Sequence, residues 1–203
     1  MAEDVAEEAY RFLRSHLAGK IRFDGERIDI RVAPTPDGSL VASVMVAMLR
    51  SVDVVLELPD DSDDGIQVQV TLEEIKEDGP MGALCDRWCI YHGEPPDVRW
   101  AHMSIDAARF HGYFVDGTAL ARPNPFAAQE PALCRALNDR MLPAVVRAAE
   151  ATAGHRLAAA RVVGVDPWGI DVRAQLGIAR IPAPSPFADP GAVEPWIAGF
   201  AAG

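Results

Sequence analysis

The chain has 203 residues, 49% of them apolar, and a formal net charge of -11. That length suits one large domain or a medium one with a small one, and either buries a core without disulfides or metal. The acidity is uneven: residues 1–130 hold 24 acids and 12 bases, residues 131–203 hold 6 and 7. This excludes a phosphate-neutralising nucleic-acid surface on the first part and disfavours anionic membranes. No segment pairs a basic start with the apolar stretch of a signal sequence, and none approaches the roughly 18 apolar residues that cross a bilayer. The expectation is a cytoplasmic protein that binds neither nucleic acid nor membrane.

In chain order, Val5, Ala6, Ala9, Phe12, Leu13 and Leu17 recur at helical spacing, with Glu7 and Glu8 early and Gly19 as a stop, which predicts an amphipathic helix. Two strand-like segments, IRF and RIDIRVA, then flank Asp24-Gly25, a strong hairpin dipeptide. After a turn at Asp37-Gly38 come further strand signals at 39–49, 52–59, 66–75, 86–93, 98–106 and 110–117, with the acidic loop DDSDDG at 60–65. So many closely spaced strands after one helix predict an antiparallel barrel, since curling and closure remove exposed edges.

The segment ARPNPF at 121–126 reads as a linker, because its prolines cannot donate to a ladder. Glu130 and Pro131 open a helix through Leu133, Leu137, Val145 and Val146, bent or split at Pro143. Short strands follow near 161–165, 169–174 and 177–181, and ADPGAVEPWIAGF suggests a closing helix. The expected fold is α+β: an N-terminal helix (1–19), an antiparallel split β-barrel (20–121) and a small C-terminal α+β domain (128–200).

The cysteines, Cys85, Cys89 and Cys134, are an odd set too sparse for a disulfide framework. With LCDRWCIY taken as a strand, Cys85 and Cys89 share a face two pleats apart and are expected to be reduced, partly buried thiols.

This order of parts resembles the pyridoxamine 5'-phosphate oxidase-like split barrel followed by the C-terminal domain of HugZ-type haem-utilisation proteins and of the plant glutamyl-tRNA reductase-binding protein. The C-terminal resemblance rests on Leu137-Asn138, then Gly164, Val165, Asp166, Gly169, Ile170, Asp171 and Arg173, then Ile178, Arg180, Ile181 and Pro182. The barrel resemblance rests on strand order and the stretch from Ile105 to Phe114. It implies a homodimer with ligand sites between subunits and either haem, flavin mononucleotide or a protein partner. Met141 stands where related helices carry a histidine, and no histidine follows His155. Weak or absent haem oxygenase activity is the expectation.

Flavin is the less favoured cofactor. Relatives that hold the flavin phosphate supply bases just after the third strand, where this chain has Asp60-Asp61-Ser62-Asp63-Asp64, with Arg50, Arg87 and Arg99 as scattered alternatives. The same loop imitates the start of a calcium loop, but Thr71 stands where a bidentate Glu is needed and strands flank it, so a solvated hairpin tip is expected. For haem, a neutral imidazole must hold iron and cations must meet the propionates. The candidates are His102 and His111, with Arg173 and Arg180 either at the propionates or at solvent-facing hairpin positions. His102 shares a strand face with Trp100 and Ser104, away from the aliphatic core. His16, His92 and His155 are expected to be ordinary surface or hydrogen-bonded residues. No nucleophile elbow, zinc-protease or phosphate-loop motif occurs, and Glu73-Glu74 read as a solvated face. Three functions stay open: haem binding or utilisation without flavin, a cofactor-free interaction module, and a flavin-dependent oxidoreductase.

Overall fold

The computed structural model describes residues 2–59, 64–95 and 99–202. The acidic loop residues Asp60 to Asp63, and with them the flavin, calcium and hairpin-tip expectations, lie outside the described residues. The chain divides into two compact units, Met1–Pro123 and Asn124–Gly203.

In the first unit, helix α1 (Ala2–Ser15) precedes β1 (Ala18–Phe23), β2 (Glu26–Arg31), β3 (Ala33–Pro34), β4 (Leu40–Val44), β5 (Val54–Leu58) and β6 (Ile66–Ile75). Helix α2 (Gly82–His92), β7 (Arg99–Phe110), β8 (Tyr113–Asp116) and the short α3 (Gly117–Leu120) follow. The strands form one antiparallel sheet in the order β2-β1-β5-β6-β7-β4-β3, with β8 also paired to β7. The two ends of that path, β2 and β3, are neighbours in the chain, so the sheet curls strongly into a half-barrel of the split-barrel kind.

The register fixes what each face carries. Ile21, Leu56, Val68, Ala108 and Val115 stand side by side across five strands, and all are buried. Strand alternation then sends the intervening residues to the opposite, outer face. On the buried side α1 contributes Leu13 and sets Phe12 against Phe110, ring centres 5.1 Å apart. Gly19, expected to stop α1, instead lies inside β1. A Cβ there would come within 2.2 Å of the Glu57 carbonyl oxygen, so glycine permits the close approach of β1 to β5.

The segment 86–93, expected to be a strand, forms helix α2 up to His92, with Gly93 as its cap. Gly82, Cys85, Trp88 and Tyr91 are its buried positions, three residues apart, a spacing that one helical face satisfies and a pleat does not. Tertiary packing overrides the strand preference of Trp, Ile and Tyr. The side chains of α2 also satisfy backbone carbonyls at the end of β2 and just beyond it. The Trp88 indole donates to Arg31 O at 2.8 Å, the Arg87 guanidinium donates to Pro34 O, and His92 Nε2 meets Val32 O at 2.9 Å. Cys85 and Cys89 are thus one helical turn apart, and both are free thiols. Burial pushes the Cys85 thiol up to about 11, with the Glu77 carboxylate adding to it, and burial also raises Cys89.

The second unit packs α4 (Glu130–Arg140), α5 (Leu142–Ala153) and α6 (Val193–Ala198) with a three-stranded sheet, β9 (Arg161–Asp166), β10 (Gly169–Ala174) and β11 (Gly177–Pro182). The helices α4 and α5 part at Met141, and Pro143 sits in the first turn of α5, where its missing N–H costs nothing. Leu137, Val145, Ile170, Val172, Val193 and Ile197 fill its core. Among the described residues, no helix is long and apolar enough to cross a membrane.

Candidate functional site: a cationic face of the half-barrel

The C-terminal residues that carry the resemblance build the fold of the second unit. Arg180 was expected to face either solvent or a haem propionate. Its side chain is only 4% exposed, and it donates to Asp171 at 2.7 Å and to Asp166 at 2.6 Å. A guanidinium buried between two carboxylates is committed to them, because exposing it would strand both acids in the core. Asp166 also accepts from the Trp168 amide at 2.7 Å, which shapes the β9–β10 turn. Asn138 grips Val162 at both backbone groups, each at 2.9 Å, while Glu130 accepts from the Val165 amide and Asn124 donates to the Val165 carbonyl. The free edge of β9 is therefore closed by side chains. Arg173 lies half-buried on β10, opposite Arg161 on β9 and Ile178 on β11.

The other two candidates lie in the first unit, near opposite ends of β7, and by strand rise they are separated by about 30 Å along the strand. Within one chain they cannot serve one iron. His102 is mostly buried on the outer face, between Val41 of β4 and Glu73 of β6. Its Nε2 is 3.5 Å from Asp37 Oδ2, too long for a good hydrogen bond, and Nδ1 has no partner among the described residues. Burial alone would raise Asp37, but the Thr35 hydroxyl, the Ser39 amide and the nearby His102 hold its carboxyl below the usual range.

His111 is placed differently. With Gly112 it forms the two-residue β7–β8 turn, both at positive φ (49° and 81°), the type I′ geometry that Asp24 and Gly25 repeat between β1 and β2 (48° and 85°). The ring stands edge-on to Phe110, centroids 4.0 Å apart, and lines a cavity of about 390 Å³ together with Arg27, Glu57, Gln67 and Arg109. The remaining histidines are structural. Besides His92, His16 meets Phe12 O at 2.8 Å, and His155 meets Arg156 O at 3.1 Å.

Two rows of directly paired residues explain the chemistry beside His111. One runs Asp29, Lys20, Glu57, Gln67, Arg109, Phe114 across six strands, and the other runs Arg27, Arg22, Val55, Gln69, Ala107, Asp116. They bring three guanidiniums, from positions 22, 27 and 109, onto one face. Glu57 meets Arg27 at 2.6 Å and Arg22 at 3.6 Å. Arg109 has no hydrogen-bond or ion-pair partner among the described residues. A second hollow of about 210 Å³ continues from the first through Gln67 and Arg109 to Arg22, Val55, Ala107 and Phe114. Phe114 is 78% exposed and Tyr113 60%.

The sequence points to Arg50, Arg87 and Arg99 for a flavin phosphate and to Arg173 and Arg180 for haem propionates, and it does not single out these three arginines. Arg87 is committed to Pro34 O, and Arg99 pairs with Glu74 at 3.0 Å. The signal that would have found the cluster is the polar position of each residue in an alternating strand, combined with a strand order that neighbouring sequence does not reveal. The face can hold an anion through its guanidiniums, seat a flat apolar body against Phe114, Val55 and Ala107, and offer an imidazole at its edge. That donor set fits a haem: a nitrogen for iron, cations for propionates and an aromatic wall. Among the described residues, no group of three or more His, Cys, Asp or Glu side chains could hold a bare metal ion.

No protein-family model matches the chain, and no curated protein matches it. Among solved structures, the protein Atu2129 of unknown function from Agrobacterium tumefaciens str. C58 is 14% identical, with a TM-score of 0.74 over 97% of this chain and 95% of that one. A heme-binding protein from Mycobacterium smegmatis is 16% identical, with a TM-score of 0.41 over 97% of this chain and 96% of that one. The first likeness extends over nearly the whole length and establishes a shared fold.

Proposed function

We propose that this chain is a cytoplasmic haem-binding protein of the HugZ-like branch of pyridoxamine 5'-phosphate oxidase-like split barrels. It works as a homodimer, carries no flavin, and has weak or no haem oxygenase activity. The observation that supports this reading is the convergence of His111, Arg109, Arg22 and Arg27 on one concave, aromatic-edged face. His111 would hold the iron, the guanidiniums would meet the propionates, and Phe114 would lie against the macrocycle. Bound haem supplies an iron centre able to bind oxygen or transfer electrons. The chain's own groups orient the macrocycle and leave one side open to solvent, an arrangement better suited to carrying haem than to degrading it.

Absorption spectra of the purified protein with added haem test this reading. A Soret shift is expected that His111→Ala abolishes and His102→Ala leaves intact. Stoichiometric biliverdin-like product under reducing conditions would overturn the weak-turnover part.

The exposed Phe114 on this face favours a second reading, a cofactor-free docking surface for a protein partner. Spectra unchanged by both haem and flavin mononucleotide would select it. A flavin-dependent oxidoreductase is the third, since the same guanidiniums suit a phosphate, and a stable yellow complex with flavin mononucleotide would select that one.

A further inference from the structure

We propose that Glu57 is a built-in competitor for the anionic ligand of the cationic face, so that the face takes its ligand in two stages, first at Arg109 and then at Arg22 and Arg27. This deepens the haem reading and rests on it for the ligand's identity. The class of ligand is any molecule bearing a carboxylate or phosphate beside a flat apolar body.

The geometry carries the argument. Glu57 is 16% exposed and lies between two guanidiniums, 2.6 Å from Arg27 and 3.6 Å from Arg22. Its other cross-strand neighbour, Lys20, is turned to Asp29 at 2.6 Å. Gly19 lets β1 close tightly onto the Glu57 backbone, which holds the carboxylate at this spot. An arriving anion therefore finds two of the three arginines sharing a carboxylate that offsets one of their two charges. Arg109, one position beyond Gln67 in the same row, has no such partner among the described residues. Full engagement requires the ligand to displace the Glu57 carboxylate, which thereby weakens binding and hastens release, as a carrier needs.

The test compares the whole chain with Glu57→Gln, Glu57→Asp, Glu73→Gln and the triple variant Glu57→Gln/Arg22→Gln/Arg27→Gln. Pyrophosphate serves as the probe by calorimetry and ferric haem by Soret titration. Removing one negative charge a few ångströms from the bound anion should tighten pyrophosphate binding by about tenfold in Glu57→Gln. Glu57→Asp, which keeps the charge but shortens its reach, should fall between it and the unaltered chain. Glu73→Gln makes the same change of net charge farther along the outer face and should move affinity by no more than about twofold. The gain should vanish in the triple variant.

Equal or weaker pyrophosphate binding in Glu57→Gln, or an equal gain in Glu73→Gln, would overturn the proposal. Should Glu57→Gln fail to fold, the order of Glu57→Asp against the unaltered chain decides alone. Haem that binds the unaltered chain and Glu57→Gln alike would sink this inference and leave the haem reading standing. Pyrophosphate binding that rises while haem shifts no spectrum would do the reverse.

Discussion

Both units set arginine among carboxylates on a sheet, and they do so to opposite ends. In the C-terminal sheet Arg180 is sealed with Asp166 and Asp171, two acids to one base, and all three are buried. On the half-barrel Arg22 and Arg27 share Glu57, and the third guanidinium, Arg109, has no ion-pair partner among the described residues. The ratio of acids to bases and the degree of burial, rather than the residue types, separate a structural lock from a surface able to bind.

The largest effect that could break this contrast belongs to Asp171, which is fully buried. Asp171→Asn removes one of the two charges holding a buried guanidinium and should destabilise the second unit by about 3 kcal/mol, measured by urea unfolding. A change below 1 kcal/mol would show that Arg180 reaches water and is no lock.

The α2 side of the half-barrel resembles the closed case, and Trp88→Phe tests that. Losing the donor to Arg31 O inside a packed contact should cost about 1–2 kcal/mol, whereas an unchanged denaturation midpoint would mean that water replaces the indole freely.

Cys85 tests the same closure through pH. Its thiol is raised in the folded chain from an ordinary value of 9.0 to about 11. The folded chain therefore keeps the proton to higher pH than the unfolded one. The associated stability is complete below pH 9 and is lost as pH climbs toward 11. Unfolding free energy should fall across that window in the unaltered chain and fall less in Cys85→Ala. Identical pH profiles would place the thiol in water.

The smallest effect on stability should come from Arg109→Gln, within about 0.5 kcal/mol, because an exposed side chain with no partner among the described residues supports little in the fold. Haem and pyrophosphate affinity should nonetheless drop. A loss of stability comparable to that of Asp171→Asn would erase the distinction between the two regions.

Much of the architecture was legible where periodicity and turn chemistry agreed. The alternation in 66–75 and the Asp24-Gly25 dipeptide gave β6 and the first hairpin, and the three short segments after 160 gave β9 to β11. Helix α2 was not legible, because Trp88, Ile90 and Tyr91 favour strands locally while its burial every third residue depends on carbonyls some sixty positions earlier. The site was half legible. His111 could be named from its own segment, but Arg22, Arg27 and Arg109 meet only through a strand order, β1-β5-β6-β7, that skips along the chain. Arg180 was singled out for a ligand because a conspicuous arginine in a short hairpin gives no hint that two aspartates enclose it.

The contacts of α2 have a further consequence for self-association. Arg31, Val32 and Pro34 present carbonyls that are answered by a tryptophan, a histidine and an arginine instead of by another strand. Those three side chains act as stoppers on a stretch of backbone that could otherwise template an incoming chain. Removing them would invite polymerisation, visible as scattered light at high concentration well before any thermal melt.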